Sequence, residues 1–169
     1  MAGSQYQARY WSLLVRVRAH LYYFNHYAVH SEWWDKATGI FLAITSSGSI
    51  AAWALWREFT FLWPVLIAAS QVVSAVKPFL PYKQRQKVVT EMGRKLLPIC
   101  LAAEKDWFSV AEGILTEEEI NDLLAKYRKQ SEETEQNTQG DVVLPLKRKL
   151  FAEAQSDAGQ YFKTNYLGG

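Results

Sequence analysis

The chain has 169 residues, a net charge of +2 and an aromatic content of 14%. This length allows one modest helical core rather than two independent ones. The small net charge gives no reason to expect nucleic-acid binding, and the single cysteine, Cys100, excludes a disulfide within the chain.

Residues 5–34 carry apolar side chains at alternating spacings of three and four, which predicts an amphipathic helix. Tyr10, Leu13 and Val17 lie on the apolar face, and Arg16 lies on the opposite face. Such a face could rest on a membrane surface. The same spacing is typical of a coiled-coil seam, so packing against later helices is the favoured interpretation.

Two runs without an ionisable group follow, over residues 37–56 and 59–76, separated only by Arg57 and Glu58. At about 1.5 Å per residue, each run built as a helix approaches the roughly 30 Å of a bilayer core. The pattern predicts an all-α membrane protein with a two-span transmembrane hairpin and long cytoplasmic amphipathic helices. A buried helical hairpin in a soluble protein is the alternative.

Lysine and arginine flank both ends of the predicted hairpin, while the connection between the runs holds only Arg57. Positive charge collects on the cytoplasmic side of a membrane. The sequence therefore predicts a two-pass protein with both termini in the cytoplasm. The first apolar run begins only at residue 37, so no cleavable signal peptide is predicted.

Small residues four apart recur along the first predicted span. Such ridges let helix backbones approach closely, either between the two spans or between protomers of a homo-oligomer. The predicted packing residues are Gly39, Ala43, Ser47, Gly48, Ala51 and Ala52.

Hydroxyl and amide side chains fall near the middle of both predicted spans. They could line a pore formed by several copies, or hydrogen-bond neighbouring helices to each other, which is the favoured single explanation. These residues are Thr45, Ser49, Ser70, Gln71 and Ser74.

A second long helix is predicted over residues 84–111, with Pro98 kinking or splitting it. Its expected partner is the N-terminal helix. Thr116 and Glu119 match a capping box, which predicts a further helix over residues 117–130.

The last part of the chain divides into a polar, acidic stretch and a final amphipathic helix. The acidic stretch reads as a flexible linker. The final helix begins with three cations, which suit phosphates, lipid or a partner, although a solvated helix start is favoured. The predicted organisation is an N-terminal helix over 1–36, a transmembrane hairpin over 37–76, a cytoplasmic helical region over 77–130, a linker over 131–141 and a C-terminal helix over 142–169.

The sequence shows no catalytic constellation: no glycine-rich phosphate loop, no cysteine pair and no nucleophile with an evident base. His26 and His30 share a helical face, but His20 lies off that face and no third ligand is evident. We therefore predict neither an enzyme, a cofactor nor a metal site.

The N-terminal helix bears Arg16, Arg18 and His20 among aromatic residues, and the hairpin is entered through Trp33, Trp34 and Lys36. In this organisation the chain resembles the SLATT family over residues 5–130. The members of that family are two-span effectors of nucleotide-signalling conflict systems in bacteria.

The resemblance implies an anti-phage effector of the bacterial inner membrane. An upstream nucleotide-signalling enzyme or regulatory protein would release it, and its oligomers would permeabilise or depolarise the membrane. The resemblance does not explain the region after Asp141, which is a candidate for the regulatory part. The alternative is a non-conducting anchor or scaffold that recruits a cytoplasmic partner.

Overall fold

The computed structural model describes residues 5–47, 62–79 and 82–166. Within these ranges the chain is all-helical, as predicted, with five α-helices and one short 3-10 turn. The helices are α1 (Gln5–Ser47), α2 (Leu62–Val76), α3 (Tyr82–Ala111), α4 (Glu117–Gln139) and α5 (Arg148–Tyr166), and the turn Lys77–Phe79 follows α2.

The chain forms two compact units. Met1–Ala28 and Arg85–Gly169 make the first, here called the bundle unit. Val29–Gln84 makes the second, here called the insert unit because its sequence lies between the two parts of the first. The boundary therefore falls inside α1, which contributes to both units.

In the bundle unit, α1 packs antiparallel to α3. Near the start of α1, the side-chain amide of Gln7 donates a hydrogen bond to the carbonyl of Val110 near the end of α3, at 2.8 Å. Further along α1, the side chain of Asn25 lies beside Gly93 in the first half of α3. The expected pairing of the N-terminal helix with the second long helix is confirmed.

The apolar face of α1 forms much of the bundle core, together with residues of α3, α4 and α5. The ring of Tyr10 stacks on Trp107 and meets Tyr127 edge-on. Packing against later helices, the favoured interpretation of this face, is therefore confirmed. The largest fully buried side chains are Tyr10, Tyr27, Phe162, Leu14, Met92, Leu96, Ile120, Val89, Val110 and Cys100.

The capping box at the start of α4 is present as predicted. The hydroxyl of Thr116 accepts the backbone N–H of Glu119 at 3.3 Å, and the Glu119 carboxylate accepts the backbone N–H of Thr116 at 2.8 Å. Two donors that a helix start leaves unsatisfied are thereby paired.

α4 continues to Gln139, so the prediction of a flexible linker over 131–141 is wrong for most of that stretch. The polar composition concealed one face that packs on the bundle. Ser131 is buried there, and Glu135 pairs with His20 of α1. Tertiary contacts thus hold in helix a segment whose composition alone suggests disorder.

Pro98 lies inside α3 without splitting it. The prolyl nitrogen cannot donate the usual helical hydrogen bond, but Leu96 and Cys100 on either side are fully buried in the bundle. Their packing holds the helix together across the missing bond.

The predicted transmembrane hairpin is the main error. Over residues 5–47, 62–79 and 82–166, no helix has both the length and the apolar character needed to span a bilayer. α2 has 15 residues, or about 22 Å against the roughly 30 Å required. α1 is long, but charged side chains recur along it as far as Lys36.

This finding overturns the two-span membrane fold and the two-pass placement in the inner membrane with both termini in the cytoplasm. It also leaves the described helices with no span from which a membrane pore could be built. Much of the first predicted span, over residues 48–56, and the connection at Arg57 and Glu58 lie outside the described residues.

Candidate functional site

The part of α1 that belongs to the insert unit has two distinct faces. Its covered face mixes polar and apolar side chains and includes Asp35, whose carboxylate lies 3.7 Å from the ammonium of Lys77. Its uncovered face carries large apolar side chains, among them Trp33, which is 60% exposed, together with the exposed ion pair of Glu32 and Lys36. Side chains that are at least half covered belong to Ser31, Asp35, Thr38, Leu42 and Thr45, while Val29, Trp33, Ile40 and Ile44 are exposed.

α2 has the same two-faced arrangement but carries no charged residue. Leu66, Ser70 and Val73 are partly covered. The opposite face, here called the outer stripe, is fully apolar and exposed. It consists of Val65, Ala68, Ala69, Val72, Ala75 and Val76.

The outer stripe is the feature of the insert unit that most needs a partner. A helix with no charged face is normally covered by protein or lipid, and contiguous exposed apolar surface usually marks a binding surface. The chain itself leaves Val72 62% exposed. The stripe is therefore a candidate interface.

The predicted packing residues are placed only in part. Gly39 faces the turn after α2, since a side chain built there would come within 3.9 Å of the Lys77 ammonium. Ala43 is exposed, and Ser47 is the last residue of α1. The three remaining predicted packing residues, Gly48, Ala51 and Ala52, lie outside the described residues.

The hydroxyl groups that were predicted to line a pore or join helices bond to their own helices. Thr45 donates to the carbonyl of Phe41 at 2.9 Å, and Ser70 donates to that of Ile67 at 2.8 Å. Such bonds satisfy a hydroxyl without a neighbouring helix. Gln71 and Ser74 are exposed beside the outer stripe, and Ser49 lies outside the described residues.

A buried ionic cluster lies at the centre of the bundle unit. The guanidinium of Arg18 pairs with the carboxylate of Glu104 at 2.5 Å, and both side chains are 8% exposed. The Tyr161 hydroxyl donates a hydrogen bond to the Glu104 carboxylate at 3.0 Å. The Cζ atom of Arg18 lies 3.9 Å from the centroid of the Tyr161 ring. The cluster joins α1, α3 and α5.

Cys100 borders this cluster, and its thiol is unreactive. Its thiol donates to Glu104 at 3.5 Å. Burial raises the pKa of the Cys100 thiol to about 12, against a smaller opposing effect of Arg18. A thiol that is not ionised near neutral pH is a poor nucleophile, so the cluster holds the bundle together and offers no reactive group.

A cavity of about 180 Å³ opens in the bundle unit between α1, α3, α4, the start of α5 and the loop before it. Sequence reasoning did not predict it, because its wall combines residues far apart in the chain. Its polar feature is the pair formed by His20 Nδ1 and Glu135 Oε1 at 2.8 Å. Aromatic rings and aliphatic side chains form most of the remaining wall.

The histidines considered as metal ligands take other roles. His26 Nε2 lies 2.8 Å from a carboxylate oxygen of Asp157, which joins α1 to α5, and His30 Nε2 accepts the indole N–H of Trp34 at 3.2 Å. Among the residues that the structure describes, no three histidine, cysteine or acidic side chains are grouped to hold a metal ion.

Comparison of the chain with protein-family models, with characterised proteins and with solved structures gives no match. The resemblance to the SLATT family therefore stays a prediction. The outer stripe and the cavity are the two candidate functional features of the described residues.

Proposed function

We propose that this chain is a non-enzymatic helical scaffold that self-associates through the insert unit and recruits a partner. The observation that carries the proposal is α2, a helix without charge whose outer stripe is left uncovered by the part of the chain that the structure describes. A second copy offers the same stripe, as a symmetric dimer requires.

The spacing within the outer stripe supports helix-to-helix packing between copies. Val65, Ala68, Val72 and Ala75 are separated by three, four and three residues, which is the spacing of a two-helix seam. The alanines among them allow two backbones to approach closely. Gln71 lies beside the seam, where one polar side chain can fix the register of a pair.

The exposed apolar residues of α1 in the insert unit enlarge the surface available for association. A stable interface buries about 1,200–2,000 Å² in total, which is more than a single pair of 15-residue helices supplies. Trp33, Ile40 and Ile44 provide further exposed apolar area. Aromatic residues such as Trp33 are enriched among those that dominate interface energies.

Sedimentation velocity of the full chain tests self-association. The parent should sediment as a dimer or larger species at micromolar concentration, and Val72→Glu should shift it to the monomer because a charge would be buried in the seam. Val143→Glu is the matched control, since Val143 of the bundle unit is 72% exposed and lies outside the insert unit.

A parent chain that remains monomeric at high micromolar concentration would refute the proposal. So would equal association of the parent and Val72→Glu. A monomer that instead floats with lipid vesicles in a density gradient would also count against it.

We further propose that the recruited partner is a regulatory protein or nucleotide-signalling enzyme of a bacterial anti-phage system. The support is the resemblance to the SLATT family, carried by Arg16, Arg18 and His20 among other residues. In a plaque assay on cells carrying the gene with its neighbouring genes, Val72→Glu should abolish protection and Val143→Glu should retain it. Loss of protection in both variants, or equal protection by the parent and both variants, would contradict this assignment.

A further inference from the structure

The bundle cavity has the size and wall of a small-molecule site. Its volume is about 180 Å³, slightly above the roughly 150 Å³ of a protein cavity that admits benzene. The wall includes His20, Tyr23, Phe24, Tyr27, Glu135 and Phe151.

The aromatic rings of the wall are held by one another. Tyr23 contacts Tyr27 with the ring centroids 5.9 Å apart and Phe151 with the centroids 5.7 Å apart, both at nearly right angles. His20 meets Phe24 and Phe151 at steep angles as well. Because these contacts exist before any ligand enters, little ordering would be required on binding.

The described wall of the cavity contains one carboxylate. Glu135 supplies a carboxylate, and its Oε1 is fixed by the imidazole of His20 at 2.8 Å. Among the described residues that line the cavity, none is a lysine or an arginine. A fixed carboxylate beside aromatic rings favours a cation with apolar substituents.

The protein already places an ammonium group on one of these rings. The Nζ atom of Lys147 lies 4.6 Å from the centroid of the Tyr27 ring. Burial, together with the nearby charge of Arg85, lowers the pKa of Lys147. An ammonium group is thus accommodated on Tyr27 at a partly desolvated position, which is the geometry of a cation–π contact.

We propose that the bundle cavity binds a small organic ammonium ion, of a size between benzene and choline. The aromatic wall contacts its methyl or methylene groups, and the Glu135 carboxylate balances its charge. This ligand site is separate from the outer stripe and does not depend on self-association.

Isothermal titration calorimetry of the full chain with choline and with 3,3-dimethylbutan-1-ol tests the proposal. The two probes have nearly the same shape, but only choline is charged. Choline should bind at least about tenfold more tightly, the difference expected of a cation–π site with a carboxylate. Equal affinity, tighter binding of the neutral probe, or no binding of choline at 10 mM would overturn it.

Single substitutions test whether choline binds in the bundle cavity. Glu135→Gln keeps the size of the side chain and should weaken choline binding about tenfold or more. Glu133→Gln is the control, because Glu133 lies on the same helix, is exposed and pairs with Lys129. Phe151→Leu should also weaken choline binding. Circular dichroism verifies folding, and unchanged binding by folded Glu135→Gln would refute the assignment.

Discussion

Arg16 and Arg18 are two residues apart in α1 but differ completely in environment. Arg16 is exposed, while Arg18 is buried in an ion pair with Glu104. Removing one partner of a buried pair leaves the other charge uncompensated. We expect Arg18→Ala to lower the free energy of unfolding by about 3–5 kcal/mol, measured by urea denaturation.

Arg16→Ala is the control for this prediction and should change stability by less than about 0.5 kcal/mol, as exposed substitutions usually do. A similar small effect of Arg18→Ala would show that the pair with Glu104 contributes little. The replacement Arg18→Lys should not restore full stability, because lysine lacks the planar guanidinium that lies over Tyr161.

For single residues, the sequence indicated which side chains matter but not which partners they contact. Arg18 and His20 were singled out by resemblance, but their partners Glu104 and Glu135 were not. An ion pair between residues 86 positions apart depends on how two helices align. The periodicity of either helix shows which face is buried, not which side chain of the other helix it meets.

The start of α4 can be tested through pH, because its capping box contains an ionisable group. The backbone N–H and then the hydroxyl of Thr116 lower the pKa of Glu119 below its usual 4.5. A lowered pKa stabilises the fold above the pKa of the unfolded chain, and this contribution is lost as pH falls through the folded value.

Glu119→Gln should therefore lower the Tm at pH 7, and the difference from the parent should shrink as pH falls from 4.5 towards 3. Circular dichroism melts across this range measure it. Glu118→Gln, outside the capping box, is the comparison and should show a smaller dependence on pH. A Tm difference for Glu119→Gln that stays constant with pH would contradict the role of the ionised carboxylate.

Elements were predicted well where local chemistry decides them and poorly where packing or length does. The capping box at Thr116 depends on neighbouring residues and was found from the sequence. The helix over 131–139 depends on contacts of Ser131 and Glu135 with distant residues, so its polar composition was misleading. α2 was identified as apolar and its end at Val76 was predicted, while the predicted residues 59–61 before it lie outside the described residues.

The division of the molecule into two compact units implies that stability and association can be changed separately. The Arg18 cluster lies in the bundle unit and the outer stripe lies in the insert unit. Substitutions that share no partners usually have additive effects. Sequence reasoning paired α3 with α1 but otherwise separated the chain by linear segments, because the return of α5 onto α1 is not visible in composition.

Combining the two substitutions tests this division. Arg18→Ala should lower the Tm without changing the sedimentation coefficient at temperatures where the variant remains folded, whereas Val72→Glu should abolish association and leave the urea stability of the bundle unit unchanged at low protein concentration. In the double variant, the change in the free energy of unfolding should equal the sum of the changes in the two single variants to within about 0.5 kcal/mol. Strong coupling between the two would mean that the bundle folds only when copies associate, since an obligate oligomer has no stability separate from its assembly.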